Sequence, residues 1–293
     1  MKLISVVIPS KNRKEKIIQA LESALCNKLV NEVIVVDDSS TPQLDKSLFG
    51  CLKVDADLRV IKNKKMKGAQ GARITGALAS KNDFVLFLDS DDLLIEDGVT
   101  KLYQVLNNNS DLAFVYSNVL HDNKTSDFLR INGDGFHSVL KNLSLCSFSG
   151  LMTRKSLVQW DDLDQSLPAW QDDDFCLTIC RFHNVKFVDT LSARMRVSVD
   201  SISISKQKQF IGLALLINKW RHDLLREFGI VRLLLWRVRL LSLFLFVVAE
   251  DMRSSTDHTG FVRFLFNISS YILNLIGKLI RIFVRPFFDR CYV

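Results

Sequence analysis

The stretch Asp83 to Asp92, DFVLFLDSDD, decides how the rest of the chain is read. Phe84 to Leu88 is an unbroken apolar run, the pattern of a strand buried on both faces in a largely parallel sheet. It ends in Asp89-Ser90-Asp91-Asp92, and a helical pattern begins near Glu96. Carboxylates this crowded repel one another unless a cation or hydrogen-bond donors neutralise them. Open α/β sheets bind their ligands at the C-terminal ends of strands, and hard oxygen donors suit Mg²⁺ or Mn²⁺. The same residues could instead cap the next helix and charge its first turn. On the tetrapeptide alone both readings stand.

Upstream, the pattern repeats. Leu3 to Ile8 is an apolar run that ends in Pro9-Ser10-Lys11-Asn12, and Ile17 to Leu25 has helical spacing. Glu32 to Val36 is a second strand with an acidic end, Asp37-Asp38. A short strand at Leu58 to Ile61 leads into the basic loop Lys62 to Lys67. Gly68 to Ser80, rich in small residues, reads as a helix packed tightly on a sheet. Downstream follow a helix near Glu96 to Asn107, a strand at Leu112 to Tyr116, a short helix at Phe136 to Leu143 and a helix at Asp172 to His183. Short strands are expected at Lys186 to Val188 and Arg194 to Val197. Strands alternating with helices imply an α/β fold with a mostly parallel sheet flanked by helices.

The 293 residues carry a formal charge of +7, all of it in the last third. Residues 1–204 hold 25 Lys and Arg against 26 Asp and Glu, while 205–293 hold 14 against 6. Two regions with different partners follow, 1–204 and 205–293. In the second, Ile211 to Phe228 and Ile230 to Ala249 are helical in pattern. In Phe261 to Phe288 the polar residues Arg263, Asn267, Ser270, Asn274, Lys278, Arg281 and Arg285 form one stripe on an otherwise apolar helix. No uninterrupted apolar run reaches the ~18 residues of a membrane span. A broad apolar face with a cationic stripe suits a membrane surface, or a helix packed on the protein itself. Nucleic acid is disfavoured because no aromatic-interleaved basic loop accompanies the charge. The six cysteines show no CxxC and the N-terminus is not a signal peptide, so reduced thiols and a cytoplasmic location are expected.

Five segments together resemble an inverting glycosyltransferase of family 2, with the GT-A nucleotide-diphospho-sugar fold. They are SVVIPSKNR (5–13), VIVVDDSS (33–40), GARITGA (71–77), FLDSDD (87–92) and WQDDDF (170–175). The resemblance implies a nucleotide-sugar donor, usually a UDP-sugar, and a GT-A domain over 1–204 followed by a helical, amphipathic extension. It places Pro9 against the base and ribose, Asp38 on the uracil and Arg73 near the base or diphosphate. Gly76 falls at the small residue that lets its helix approach the sheet. Asp89-Ser90-Asp91 matches the D-x-D motif: Asp89 with Ser90 on the nucleotide sugar or metal, and Asp91 on the Mg²⁺ or Mn²⁺ ion. Asp92 is then left to cap the following helix. In Gln171-Asp172-Asp173-Asp174 the base position falls on Asp172, with a one-residue slip to Asp173 the alternative. Lys11 stands where many relatives carry an aromatic residue, and Ser198 where many carry a metal-binding histidine.

The implied reaction is transfer to a hydroxyl of a glycan or polyprenyl-linked acceptor in bacterial surface polysaccharide assembly, at the inner face of the plasma membrane. Two alternatives remain open. One is an inactive nucleotide-sugar-binding protein. The other is a sugar-nucleotide pyrophosphorylase, which should carry a glycine-rich loop where Pro9 to Arg13 stands. A dinucleotide-binding dehydrogenase is disfavoured because no G-x-G-x-x-G follows the first strand.

Overall fold

The computed structural model describes residues 4–50, 56–121, 124–143, 145–196 and 205–254. Its elements are β1 (Ile4–Ser10), α1 (Lys16–Leu25), β2 (Val30–Asp37), β3 (Asp57–Lys62), α2 (Ala69–Ala79), β4 (Phe84–Phe87), β5 (Leu93–Leu94) and α3 (Glu96–Asn108). Then come β6 (Leu112–His121), β7 (Lys124–Thr125), β8 (Asn132–Gly133), α4 (Phe136–Asn142), β9 (Leu151–Arg154), α5 (Gln171–Cys180), β10 (Asn184–Met195) and α6 (Lys206–Ser254). The two short strands expected near 186 and 194 are one strand, β10, whose register against β6 shifts at Val188/Leu191 and Leu191/Ala193.

The sheet runs β3-β2-β1-β4-β9-β6-β10-β5, with β7 on β6 and β8 on β10. β3, β2, β1 and β4 are parallel neighbours, as are β6 and β10. β9 enters antiparallel between β4 and β6. Parallel pairing brings Ser10, Asp37 and Lys62, the C-terminal residues of β1, β2 and β3, side by side at one edge.

Successive side chains of a strand face opposite sides, and β1 uses both. Ile4, Val6 and Ile8 belong to a core cluster with Ile17 and Leu21 of α1 and Val99 and Leu102 of α3. Val7 points the other way, under α2. A Cβ on Gly76 would lie 2.3 Å from a Val7 methyl and 2.9 Å from a Val36 methyl, so only glycine allows α2 this close. Farther along the sheet, Phe87 meets Phe148, Trp160 and Phe175 edge-on, at centroid distances of 5.3–6.4 Å. Fully burying a side chain of this size contributes about 1.5–3 kcal/mol.

The chain divides into two compact units, Met1–Arg237 and Val238–Val293. The first therefore takes in α6 as far as Arg237, beyond the residue-204 boundary drawn from charge. Within α6, Gly229 has φ 65°, a non-helical break that falls between the two helical patterns of the sequence. Of the second unit only 238–254 are described, and they are helical. The expected amphipathic helix at 261–288 and the position of Ser198 lie outside the described residues. Among the described residues no helix is long and apolar enough to cross a membrane.

Candidate active site

The acidic strand ends do different work. Asp37 accepts from the backbone N–H groups of Ser40 (3.0 Å) and Leu44 (3.3 Å), so it shapes its own loop. Asp38 reaches into the edge of the sheet. Its Oδ1 accepts from Asn63 Nδ2 at 2.7 Å and its Oδ2 from the Gly68 N–H at 2.9 Å, which ties the basic loop after β3 to the start of α2. Gly68 has φ 128°, a conformation that side chains other than glycine's rarely adopt. A Cβ on Gly71 would stand 2.0 Å from the Met66 carbonyl oxygen, so this loop also requires glycine for its tight return. Pro9, near the end of β1, is buried beside Val36 of β2.

Arg73 is the residue on which the site converges. It is buried on α2, and its guanidinium carbon sits 4.0 Å from the centre of the Phe148 ring. Nη2 donates to Asp89 Oδ1 at 2.6 Å, and Nη1 donates to Gln171 Oε1 at 2.9 Å. One side chain thereby joins the D-x-D turn after β4 to the first residue of α5. Charge-assisted pairs of this kind are short and directional, and here they span residues distant in sequence.

The three aspartates after β4 separate. Asp89 is a third exposed at its side chain and pairs with Arg73. Asp91 Oδ2 lies 2.5 Å from Arg13 Nη1. Ser90 is buried. Asp92 does not cap the next helix, contrary to the expectation from sequence. The N-cap of α3 is Ile95, with no side-chain cap, and Asp92 is turned inward. It accepts from the Ser149 hydroxyl at 2.6 Å and from the Arg196 N–H at 3.2 Å. Burial, then the charge of Asp89, pushes its carboxyl up to about 7. Ser149 also accepts from the Asp89 N–H at 3.1 Å, and Arg196 Nε donates to the Asp91 carbonyl at 2.6 Å. The D-x-D turn is held from both sides by segments far along the chain.

At the start of α5, Asp172 is half-buried while Asp173 and Asp174 are buried. Burial raises the Asp172 carboxyl above its ordinary range, the Arg73 guanidinium draws it back down, and Asp89 adds a smaller upward push. That places Asp172 within the electrostatic reach of both Arg73 and Asp89. The charges of Asp172 and Asp173 both bear on the buried thiol of Cys146, and that of Asp173 also bears on Cys176. Trp170, just before the helix, is in the left-handed region at φ 64°.

The oxygen donors of Asp89 and Asp91 suit a cation that takes one or two carboxylates and completes its shell with phosphate and water, as Mg²⁺ does. Among the described residues no group of three His, Cys, Asp or Glu side chains could hold a metal alone. Sequence reasoning assigned no role to Arg13, Phe148, Ser149 or Arg196. Arg13 lay inside a quoted motif, directly after a strand end. The other three carry no local signal, because only the fold brings them to the D-x-D turn.

The fold is that of a GT-A glycosyltransferase, and the cluster of carboxylates and guanidinium groups lies at the ends of its strands. The chain belongs to Glycosyl transferase family 2, whose family model matches residues 5–159. The chain is 28% identical over 217 residues to the Escherichia coli UDP-Glc:alpha-D-GlcNAc-diphosphoundecaprenol beta-1,3-glucosyltransferase WfgD, covering 71% of this chain and 82% of that one. Among solved structures it is similar to Staphylococcus aureus TarS residues 1–349, with TM-score 0.57 and 18% identity. That match covers 74% of this chain and 65% of TarS 1–349, just under two thirds of its length. It is also similar to Mycobacterium tuberculosis glucosyl-3-phosphoglycerate synthase in complex with Mg²⁺ and UDP, with TM-score 0.51 and 19% identity, covering 74% and 79% of the two chains. These structural likenesses show the shared fold.

Proposed function

We propose that this glycosyltransferase moves a sugar from a UDP-sugar, with inversion, to a hydroxyl of a polyprenyl-diphosphate-linked glycan during surface polysaccharide assembly. The observation that carries this reading is the double hold of Arg73 on Asp89 (2.6 Å) and Gln171 (2.9 Å). It sets the carboxylates suited to a metal-diphosphate next to the residue that precedes Asp172. The donor class and the lipid-linked acceptor come from the printed activity of WfgD, which is 28% identical.

In this reading Pro9 and Asp38 hold the uridine, with Asp38 already fixed by Asn63 and Gly68. Asp89, Ser90 and Asp91 face the diphosphate, and Asp89 and Asp91 would hold Mg²⁺ or Mn²⁺. When bound, the cation offsets the negative charge that develops on the leaving UDP. The Arg73 guanidinium supplies fixed positive charge from a buried side chain, where it counts for more than in bulk solvent. Inversion requires one in-line displacement. Asp172 takes the proton from the acceptor hydroxyl as that oxygen bonds to the anomeric carbon and UDP departs. A general base of this kind contributes about 10²–10⁴-fold. Residues 205–293, with their basic excess, are proposed to keep the enzyme at the cytoplasmic face of the membrane that holds its acceptor.

The test is a screen of UDP-sugars with GlcNAc-diphosphoundecaprenol and related polyprenyl-linked acceptors, followed by UDP release and by mass spectrometry of the lipid. Turnover of at least one donor with Mg²⁺ or Mn²⁺, abolished by EDTA and restored by the cation, is the expected result. No turnover of any UDP-sugar, or turnover indifferent to EDTA, would refute it.

A further inference from the structure

Two residues beyond Asp172 lies Asp174, a carboxylate with no exposed surface. Both of its oxygens are held from α6. The Lys219 ammonium stands 2.7 Å from Oδ1 and 2.9 Å from Oδ2, and Trp220 Nε1 donates to Oδ1 at 3.1 Å. The Asp164 N–H donates to Oδ2 at 2.9 Å, and Lys219 also donates to the Asp162 carbonyl at 2.7 Å. Two turns earlier on α6, Gly212 gives close passage to the chain before α5: a Cβ there would lie 2.6 Å from the Ala169 carbonyl oxygen. The Trp170 indole donates to the Gln209 carbonyl at 2.9 Å, and Trp170 keeps its left-handed backbone at that junction.

A buried ion pair is weak evidence of a gain in stability, because desolvating both charges offsets most of their attraction. What such a pair does supply is a fixed geometry. Residues two apart on a helix point roughly 200° apart around its axis. With Asp174 turned toward α6, Asp172 is on the opposite side of the same turn, toward Arg73. Locking the one sets the direction of the other.

We infer that Lys219 and Trp220 are positioning residues for sugar transfer: by gripping Asp174 they fix the rotation of the first turn of α5 and hence the aim of Asp172. The inference rests on the proposed role of Asp172 as base. It gives α6 up to Trp220 a part in the reaction that its basic, apolar composition does not announce.

The experiment uses the full chain and compares Lys219→Met, Lys219→Arg and Trp220→Phe with wild type. UDP binding by calorimetry gives stoichiometry and Kd, and steady-state transfer from the UDP-sugar found in the screen gives kcat and KM. Trp220→Phe keeps the ring and removes only its donor, so it covers the case in which Lys219→Met fails to fold. UDP stoichiometry, Kd and donor KM are expected to stay within about 2-fold of wild type. The kcat of Lys219→Met should fall on the order of 10- to 100-fold, the scale of a small misplacement of a reacting group. Trp220→Phe should fall less, and Lys219→Arg should recover most of the rate. The inference is overturned by an unchanged kcat per UDP-binding site in both Lys219→Met and Trp220→Phe. It is equally overturned by a fall in kcat matched by the same fall in binding stoichiometry, which marks loss of folded protein alone. Full transfer by Asp172→Asn would remove the base assignment itself, a failure distinct from either.

Discussion

The two sides of the Arg73 cluster are built in contrasting ways. On one side, Asp38, Asp89 and Asp91 stand just past the ends of parallel strands, within three residues of an apolar run that the sheet buries. On the other, Asp172 stands at the head of a helix that is approached through a left-handed tryptophan and gripped by residues almost fifty positions later, Lys219 and Trp220. The family model ends at residue 159, before that second side begins. The first side is placed by strand ends that the local sequence announces and is then held by distant contacts, whereas the second depends on tertiary contacts for its placement as well. Arg73 is the bridge between them, with one hand on each.

The bridge is where the contrast is most easily broken. Replacing Arg73 by Met keeps the apolar stem over Phe148 but frees both Asp89 and Gln171. Transfer is expected to fall by about 10²–10³-fold, comparable to removing one preorganised electrostatic donor. A loss below 5-fold in kcat/KM would show that the two sides do not depend on one another through this residue.

Smaller effects test each side alone. Gly76→Val would press new methyl groups into Val7 and Val36. It should lower stability by about 1–3 kcal/mol, measured by urea unfolding. Asp38→Asn keeps the shape but weakens the hold on the Gly68 N–H, and should raise the Kd for UDP about 10-fold, equivalent to about 1.4 kcal/mol. On the Asp172 side the check is pH. The base works ionised, and burial raises its carboxyl. The rate should therefore fall as pH falls through a limb above the ordinary carboxylate value of about 4. A limb at or below 4 would mean that Asp172 is solvated or is not the base.

Much of the first side was legible in the sequence because its cues are local. Phe84 to Leu88 reads as a doubly buried strand and is one, with exposures of 0–8%. Gly76 sits where α2 touches the sheet. The break at Gly229 separates two helical patterns in sequence and marks the kink in α6. Other features depend on contacts that spacing does not encode. The capping role expected of Asp92 gave way to the hydroxyl of Ser149 and the amide of Arg196, 57 and 104 positions away. The grip of α6 on Asp174 was not legible either, because the net charge of 205–293 reports the surface and not what a helix buries. A truncation meant to remove only a membrane-facing region is therefore better placed after Arg237 than after 204.

The most direct measurement is sugar transfer and UDP binding by Asp172→Asn, made side by side on the same protein. The expected result is UDP bound with the affinity of wild type and transfer reduced by about 10²–10⁴-fold. Transfer at the wild-type rate, or loss of UDP binding together with transfer, would contradict the division of the site into a donor side and a base side.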